Sequence, residues 1–246
     1  MGHPDYGYRI PMLLLLVRHG TTSMTGTRLT GRLPGVHLSE EGVRQAKDVA
    51  ERLANLPVKA VYSSPLERCQ ETAAPIAERH RVEMHTVDDL AEVDYGQWQG
   101  RPYGQLYRLK AWSELQAHPA DFRFPGGETI REAQTRGIRA TEAIRATHPR
   151  TAAVVAVSHA DMIRLIVAGY LGLGTDLYQR IVIGVASVSV IVLGERVPRL
   201  LRIGDSGSLD QLAERLKPQA KPTAATKKPA RAADPSGRGR TGEVVP

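Results

Sequence analysis

Short, wholly apolar runs alternate along this chain with longer stretches of helical period. Met12 to Val17 is an unbroken run of Met, Leu and Val. It is too short for a helix of its own and reads as a buried strand. Residues 1–11 before it are a loose lead-in. Ser39 then opens a predicted helix with Glu40 and Glu41 in its first turn, where the positive helix end favours acids. Val43, Ala46, Ala50 and Leu53 share one face of that helix, and Pro57 ends the pattern. Val58 to Tyr62 is the next strand. Ser64 and Pro65 read as the N-cap and first-turn proline of a helix over 65–79. Val82 to Val87 is a short strand, and a long helix is predicted from about Thr129 to Thr147. A strand over 152–157 leads to an apolar helix at Met162 to Leu171, interrupted by Arg164. In the strand Ala186 to Leu193, Ser187 and Ser189 alternate with Val188 and Val190, and Leu200 to Ile203 adds an edge strand. Strands alternating with helices predict an α/β fold: a mostly parallel central sheet with helices on both faces. No internal repeat is visible.

Two stretches break the alternation. Thr21 to Val36 is rich in Thr and Gly and is long enough to fold over a ligand. Residues 94–127 form an insertion holding Trp98, Tyr103, Tyr107, Trp112, Phe122 and Phe124. It reads equally as a helical cap packed on the sheet and as a lid that excludes water from a substrate. The turn Phe124-Pro125-Gly126-Gly127-Glu128 closes it.

The chemistry-bearing residues fall at strand ends. Arg18-His19-Gly20 follows the first strand directly, at the C-terminal mouth where open α/β sheets bind ligands. Arg offers a planar fork of donors that fits a phosphate, and His can act as a nucleophile. Ser63-Ser64-Pro65-Leu66-Glu67-Arg68 puts a second Arg near the positive end of a helix, where anions are favoured. Ser158-His159-Ala160-Asp161 repeats the strand-then-polar-turn pattern. Glu92 lies in a loop, Glu92 to Gly100, rich in aromatic residues and glycine. Partial burial there would raise its pKa toward that of an acid catalyst. Taken singly, each also fits a bland role: a solvated Arg, a structural His, a surface acid.

Taken together, the Arg-His-Gly, Ser-Ser-Pro-x-x-Arg and Ser-His-x-Asp segments resemble the histidine phosphatase superfamily, in the branch that includes cofactor-dependent phosphoglycerate mutases. The resemblance runs from about Met12 to about Leu193 and implies a phosphoglycerate-mutase-like fold with a cap insertion. By resemblance, His19 becomes phosphorylated, Arg18, Arg68 and His159 form the phosphate pocket, and Glu92 is the proton donor. Thr25, Thr30, Gly31 and Ser158 are further substrate-binding positions. Gly31 to Gly35 with Leu38-Ser39 matches a substrate-facing loop, and Gly126-Gly127-Glu128 a segment before a long helix, where Glu128 either touches the site or stabilises the helix. The chain departs from the pattern at Thr25, often Asn in the family, and at His37, often Asp. Mutases usually carry Glu-Arg-His-Tyr-Gly where this chain has Glu92-Val93-Asp94-Tyr95-Gly96, so the Arg that would grip a substrate carboxylate is missing.

Three functions follow: a phosphomonoesterase acting on a small phosphorylated metabolite, a phosphomutase, or a non-enzymatic phospholigand-binding module. The third is expected to have lost His19 or Glu92, and both are present. No cofactor is expected. No metal is expected either: His19, His159 and Asp161 are ligand types, but two arginines beside them would repel a cation. The single cysteine, Cys69, excludes an internal disulfide and suits a reducing, cytoplasmic setting. A cysteine phosphatase would need Arg six residues on, where Pro75 stands.

The 246 residues, 41% apolar, suffice for one core, assigned to 1–208. Of the net charge of +7, +5 falls on the Pro-, Ala- and Lys-rich stretch from Lys217 onward. Residues 209–246 are therefore expected to be a disordered basic tail rather than a specific nucleic-acid module. No apolar run approaches membrane-spanning length, and Tyr6 stands where a myristoylation signal needs Ser or Thr. The expected partner is a small-molecule phosphate ester. A homodimer is left open.

Overall fold

The computed structural model describes residues 12–194 and 197–207, all within the first of two units, Met1–Leu216. The expected lead-in at 1–11 and the basic tail at 209–246 lie outside the described residues.

A six-stranded sheet runs in the order β3-β2-β4-β1-β5-β6. Its strands are β1 (Met12–Arg18), β2 (Val58–Ser63), β3 (Met84–Thr86), β4 (Ala153–Ser158), β5 (Val188–Leu193) and β6 (Arg199–Asp205). β3, β2, β4 and β1 pair in parallel, while β5 and β6 pair antiparallel. β1 lies at the centre, and its uninterrupted apolar run follows from burial on both faces. Successive side chains alternate between two cores. Met12, Leu14 and Leu16 enter one, with α5 (Ile130–Ala146), α6 (Ala160–Leu171) and the insertion. Leu13, Leu15 and Val17 enter the other, with α1 (Glu40–Leu53) and α2 (Glu67–His80). Cutting one such Leu back to Ala removes about 2–5 kcal/mol.

Local chemistry sets the helix starts. Ser39 Oγ accepts from Gly42 N at 3.1 Å and donates to Thr21 O at 3.1 Å, tying α1 to the loop after β1. A Cβ on Gly20 would lie 2.6 Å from Gly42 O, so the approach of loop to helix requires glycine there. Thr129 closes a capping box with Glu132 and starts α5.

Some sequence expectations need correction. α2 begins at Glu67, not at 65, and Leu66 rather than Ser64 takes the cap position. The Ser64 hydroxyl is instead turned to His159. Val43 is 44% exposed; Gly42 and Val49 are buried on α1 instead, because the helix packs close to the Thr21 backbone. β3 is shorter than 82–87, and β6 is longer than 200–203.

The insertion folds as α3 (Tyr103–Leu106) and α4 (Lys110–Ala117) between two 3-10 turns, Gly96–Trp98 and Pro119–Asp121. Trp98 is its centre, with ring centroids 5.9 Å from Trp112, 5.4 Å from Phe122 and 5.4 Å from Phe124. Among the described residues no helix is long and apolar enough to cross a membrane.

Candidate active site

The carboxyl ends of β1 and β4 lie side by side, with Arg18 in register with Ser158. His19 leaves the sheet there, its N–H donating to Ser158 O at 3.0 Å. Its side-chain Nδ1 lies 2.7 Å from Gly20 O and must carry the proton to bond it. Nε2 therefore keeps its lone pair, and the ring lines a cavity of about 360 Å³. Burial, then Arg68 and Arg18, push the imidazole down to about 3, so it is neutral at physiological pH.

Arg68 stands in the first turn of α2 and is only 1% exposed. Its Nη2 donates to Gly31 O at 2.7 Å and lies 3.2 Å from His159 Nδ1. Among the described residues its Nε and Nη1 find no acceptor, nor does Arg18 Nε. Arg18 is steadied by Nη1 donating to Ile183 O at 2.7 Å. Both guanidiniums line the cavity with His19. Buried donors without acceptors are costly, about 1–3 kcal/mol each, and an oxyanion in the cavity satisfies that chemistry.

His159, expected to form the phosphate pocket with Arg18 and Arg68, stands beside both His19 and Arg68. The ring is fully buried and outside the cavity lining, its centroid 5.2 Å from that of His19. Nδ1 accepts from Arg68, so Nε2 carries the proton and donates to Ser64 Oγ at 2.8 Å. Burial and then Arg68 hold it well below the usual histidine range, hence neutral. In this arrangement both nitrogens are engaged, Nδ1 by Arg68 and Nε2 by Ser64. The buried Ser158 hydroxyl donates to Leu90 O at 2.7 Å, and its main-chain oxygen accepts from His19 N. Thr25, Thr30 and Gly31 do line the cavity. The Thr25 hydroxyl accepts from Thr22 N at 2.9 Å.

Glu92 faces this group from between two 3-10 turns, Asp88–Leu90 and Gly96–Trp98. Its Oε1 accepts from Val93 N at 3.0 Å and Met162 N at 3.1 Å, and Oε2 from Asp161 N at 3.5 Å. Its main-chain oxygen accepts from Arg32 Nε at 2.8 Å and Arg136 Nη2 at 2.9 Å, which fixes the segment. Burial, then Asp161, push the carboxyl up to about 7. A carboxylic acid balanced there gives and takes a proton near neutral pH.

Glu128 lies outside the cavity lining. It accepts from Arg136, Arg32 and Asp94 N, so it locks the Glu92 segment to α5 rather than touching the site. It precedes the first turn of α5, so it does not stabilise that helix end as expected; Glu132 does. Cys69 is buried beside His159, and burial pushes its thiol up to about 12, leaving it inert as a nucleophile. Among the described residues no cluster of His, Cys, Asp or Glu is placed to hold a metal ion.

Sequence reasoning passed over Arg28, Tyr103, Asp161, Arg164, Tyr178 and Gln179 as cavity residues. Arg164 had a signal, a cation inside an apolar helix, which was read only as a break in hydropathy. Arg28 and Gln179 had none. Tyr103, Trp112 and Phe124 bring the insertion to the cavity wall, so it serves both as packed cap and as part of the site.

A neutral imidazole with one free nitrogen, two guanidiniums with spare donors and a protonatable carboxyl are equipment for moving a phosphoryl group. The chain belongs to the histidine phosphatase superfamily (branch 1), whose model matches residues 14–206. It is 31% identical over 203 residues to phosphoserine phosphatase 1 of Hydrogenobacter thermophilus, a match covering 77% of this chain and 90% of that protein. A shorter stretch of 77 residues is 52% identical to the uncharacterized protein Rv0525 of Mycobacterium tuberculosis. That stretch covers 31% of this chain and only 38% of the relative's length. Among solved structures, the mycobacterial glucosyl-3-phosphoglycerate phosphatase Rv2419c aligns with a TM-score of 0.71 at 26% identity, covering 79% of this chain and 99% of that one.

Proposed function

We propose that this protein is a phosphomonoesterase that hydrolyses a small phosphorylated metabolite through a phosphohistidine on His19. The observation that carries the reading is the state of His19: neutral, Nδ1 bonded to Gly20 O, Nε2 free in a cavity it shares with Arg18, Arg68 and Glu92. The Nε2 lone pair attacks phosphorus while the phosphorus–oxygen ester bond breaks. The Arg18 and Arg68 donors hold the equatorial oxygens, where the charge of the transferring group lies. Glu92 passes its proton to the leaving oxygen, and the alcohol departs. As a carboxylate, Glu92 then takes a proton from water, which attacks phosphorus, and the phosphorus–nitrogen bond breaks to release phosphate and restore His19.

The phosphatase names carried by relatives and structural neighbours support hydrolysis. Against a mutase stands Val93, wholly buried in the core where mutases usually place a substrate-gripping Arg. The test is acid quench of the protein mixed with a phosphomonoester panel, followed by phosphate mapping. Label on His19, abolished together with turnover in His19→Ala, is expected. Turnover persisting in His19→Ala, or label on another residue, refutes the mechanism.

A further inference from the structure

The cavity holds a second carboxylate that takes no part in the steps above. Asp161 lies in the first turn of α6, two residues after His159. Its Oδ2 accepts from the Tyr95 hydroxyl at 2.6 Å, and its Oδ1 from Arg164 Nη1 at 2.6 Å. Both partners line the same cavity as Glu92. Glu92 and Asp161 are fastened to one helix terminus, because the N–H groups of Asp161 and Met162 both point to the Glu92 carboxyl. Their surroundings differ sharply. Among the described residues, Asp161 has a cation and a phenol on its oxygens, whereas the Glu92 carboxyl meets only main-chain N–H donors.

We infer that the Asp161 carboxylate, gripped by Arg164 and Tyr95 at the helix terminus it shares with Glu92, holds the transferable proton on Glu92 and so sets the pH range in which the leaving oxygen is protonated. It is a positioning residue for the proton rather than a group that touches the reacting atoms, and this role rests on Glu92 being the donor. The other charges around the Glu92 carboxyl are Arg18 from the end of β1, Arg68 from α2 and Arg164 from α6, while Arg136 from α5 and Arg32, both bound to Glu128, sit on its main-chain oxygen. The phenols of Tyr95, Tyr103 and Tyr178 are raised by burial and then by Asp161, and are neutral. His19 and His159 are neutral too. Against these guanidiniums, of which Arg32 and Arg136 are already paired with Glu128, Asp161 is the negative charge that opposes ionisation of Glu92. Burial acts in the same sense.

The test is the pH profile of kcat/KM for the full chain, with phenyl phosphate and 4-nitrophenyl phosphate as probes. The leaving oxygen of phenyl phosphate needs a proton and that of 4-nitrophenyl phosphate needs far less. The unaltered protein is expected to lose activity on phenyl phosphate as pH rises through about 7. Asp161→Asn keeps the side-chain shape and removes the charge, so this falling limb moves to lower pH by about one unit. Arg164→Gln removes the counter-charge and moves the limb to higher pH. Ionisation of the probe is the same for every variant and cancels in the comparison. A purely structural role lowers the rate at all pH values and leaves the limb in place. If Glu92→Gln abolishes the limb but Asp161→Asn leaves it unmoved, the role of Asp161 is overturned and the donor stands. If the limb survives Glu92→Gln, the donor assignment itself falls. Should Asp161→Asn fail to fold, Arg164→Gln decides: a limb unmoved or shifted to lower pH overturns the inference.

Discussion

Arg68→Met removes one guanidinium and keeps an apolar stem of similar length in the same buried slot. The side chain now joins two groups, Gly31 O and His159 Nδ1, through Nη2, and among the described residues its Nε and Nη1 have no acceptor. The two losses differ in kind. Gly31 O and His159 Nδ1 lose a buried partner, about 1–3 kcal/mol each, but a desolvated cation beside Arg18 also disappears, so folding stability changes little. The transition state has no such compensation. One preorganised donor to developing oxyanion charge is worth about 2.7–4 kcal/mol, or about 10²–10³ in kcat, and Arg68 supplies two. A fall of at least about 10² in kcat/KM is expected with thermal stability nearly retained. A second readout follows from charge. Burial first, then Arg68 and Arg18, hold His19 down to about 3. Without Arg68 its pKa rises, protonation begins at higher pH, and the neutral nucleophile is lost earlier on acidification. The acid limb of kcat/KM for 4-nitrophenyl phosphate therefore moves up toward neutrality. Arg68→Lys restores the charge but not the fork, so it returns the limb toward acid pH while the rate stays low. A Met variant within about tenfold of the unaltered rate, with an unmoved acid limb, refutes the assignment of Arg68 to both tasks.

Glu92→Gln is expected to cut turnover of phenyl phosphate far more than that of 4-nitrophenyl phosphate, measured as a ratio of kcat/KM values; equal losses move the donor role to another carboxyl. Removal of residues after Ser208 is expected to leave turnover of small phosphomonoesters intact, since the residues assigned to catalysis all precede that point. Any binding of the full chain to RNA or DNA through the +5 stretch is expected to fall steeply with salt and to show no sequence preference, in a titration at two salt concentrations. Lost turnover on truncation contradicts the first expectation, and salt-resistant selective binding the second.

Much of the fold was written in local pattern. The run Met12 to Val17 could only be a strand covered on both faces, and its alternate residues do divide between two cores. Ser39 before two glutamates marked a helix start that the structure bears out, because caps are settled within one turn of chain, and the long helix expected from about Thr129 begins at Ile130. His19, Arg18, Arg68 and Glu92 were legible as candidates, since a strand end followed by glycine or a helix start brings a side chain to the ligand edge of the sheet.

What each side chain does there was decided by partners far away in sequence. Ser64 looked like a cap from its neighbours, but His159, 95 residues on, takes its hydroxyl. The partners of His159 on both nitrogens, Arg68 and Ser64, lie 91 and 95 residues away and left no local trace. Ser158 shares the mouth of the sheet with His19, and its hydroxyl bonds Leu90 O, 68 residues away in sequence. The pairing of Asp161 with Tyr95 spans 66 residues and had no local signal. Local sequence governs backbone conformation, because caps and apolar period act over a few residues. Burial, charge proximity and hydrogen-bond partnership are properties of the packed chain, and they set which imidazole is free, which carboxyl keeps its proton and which guanidinium still has donors to offer.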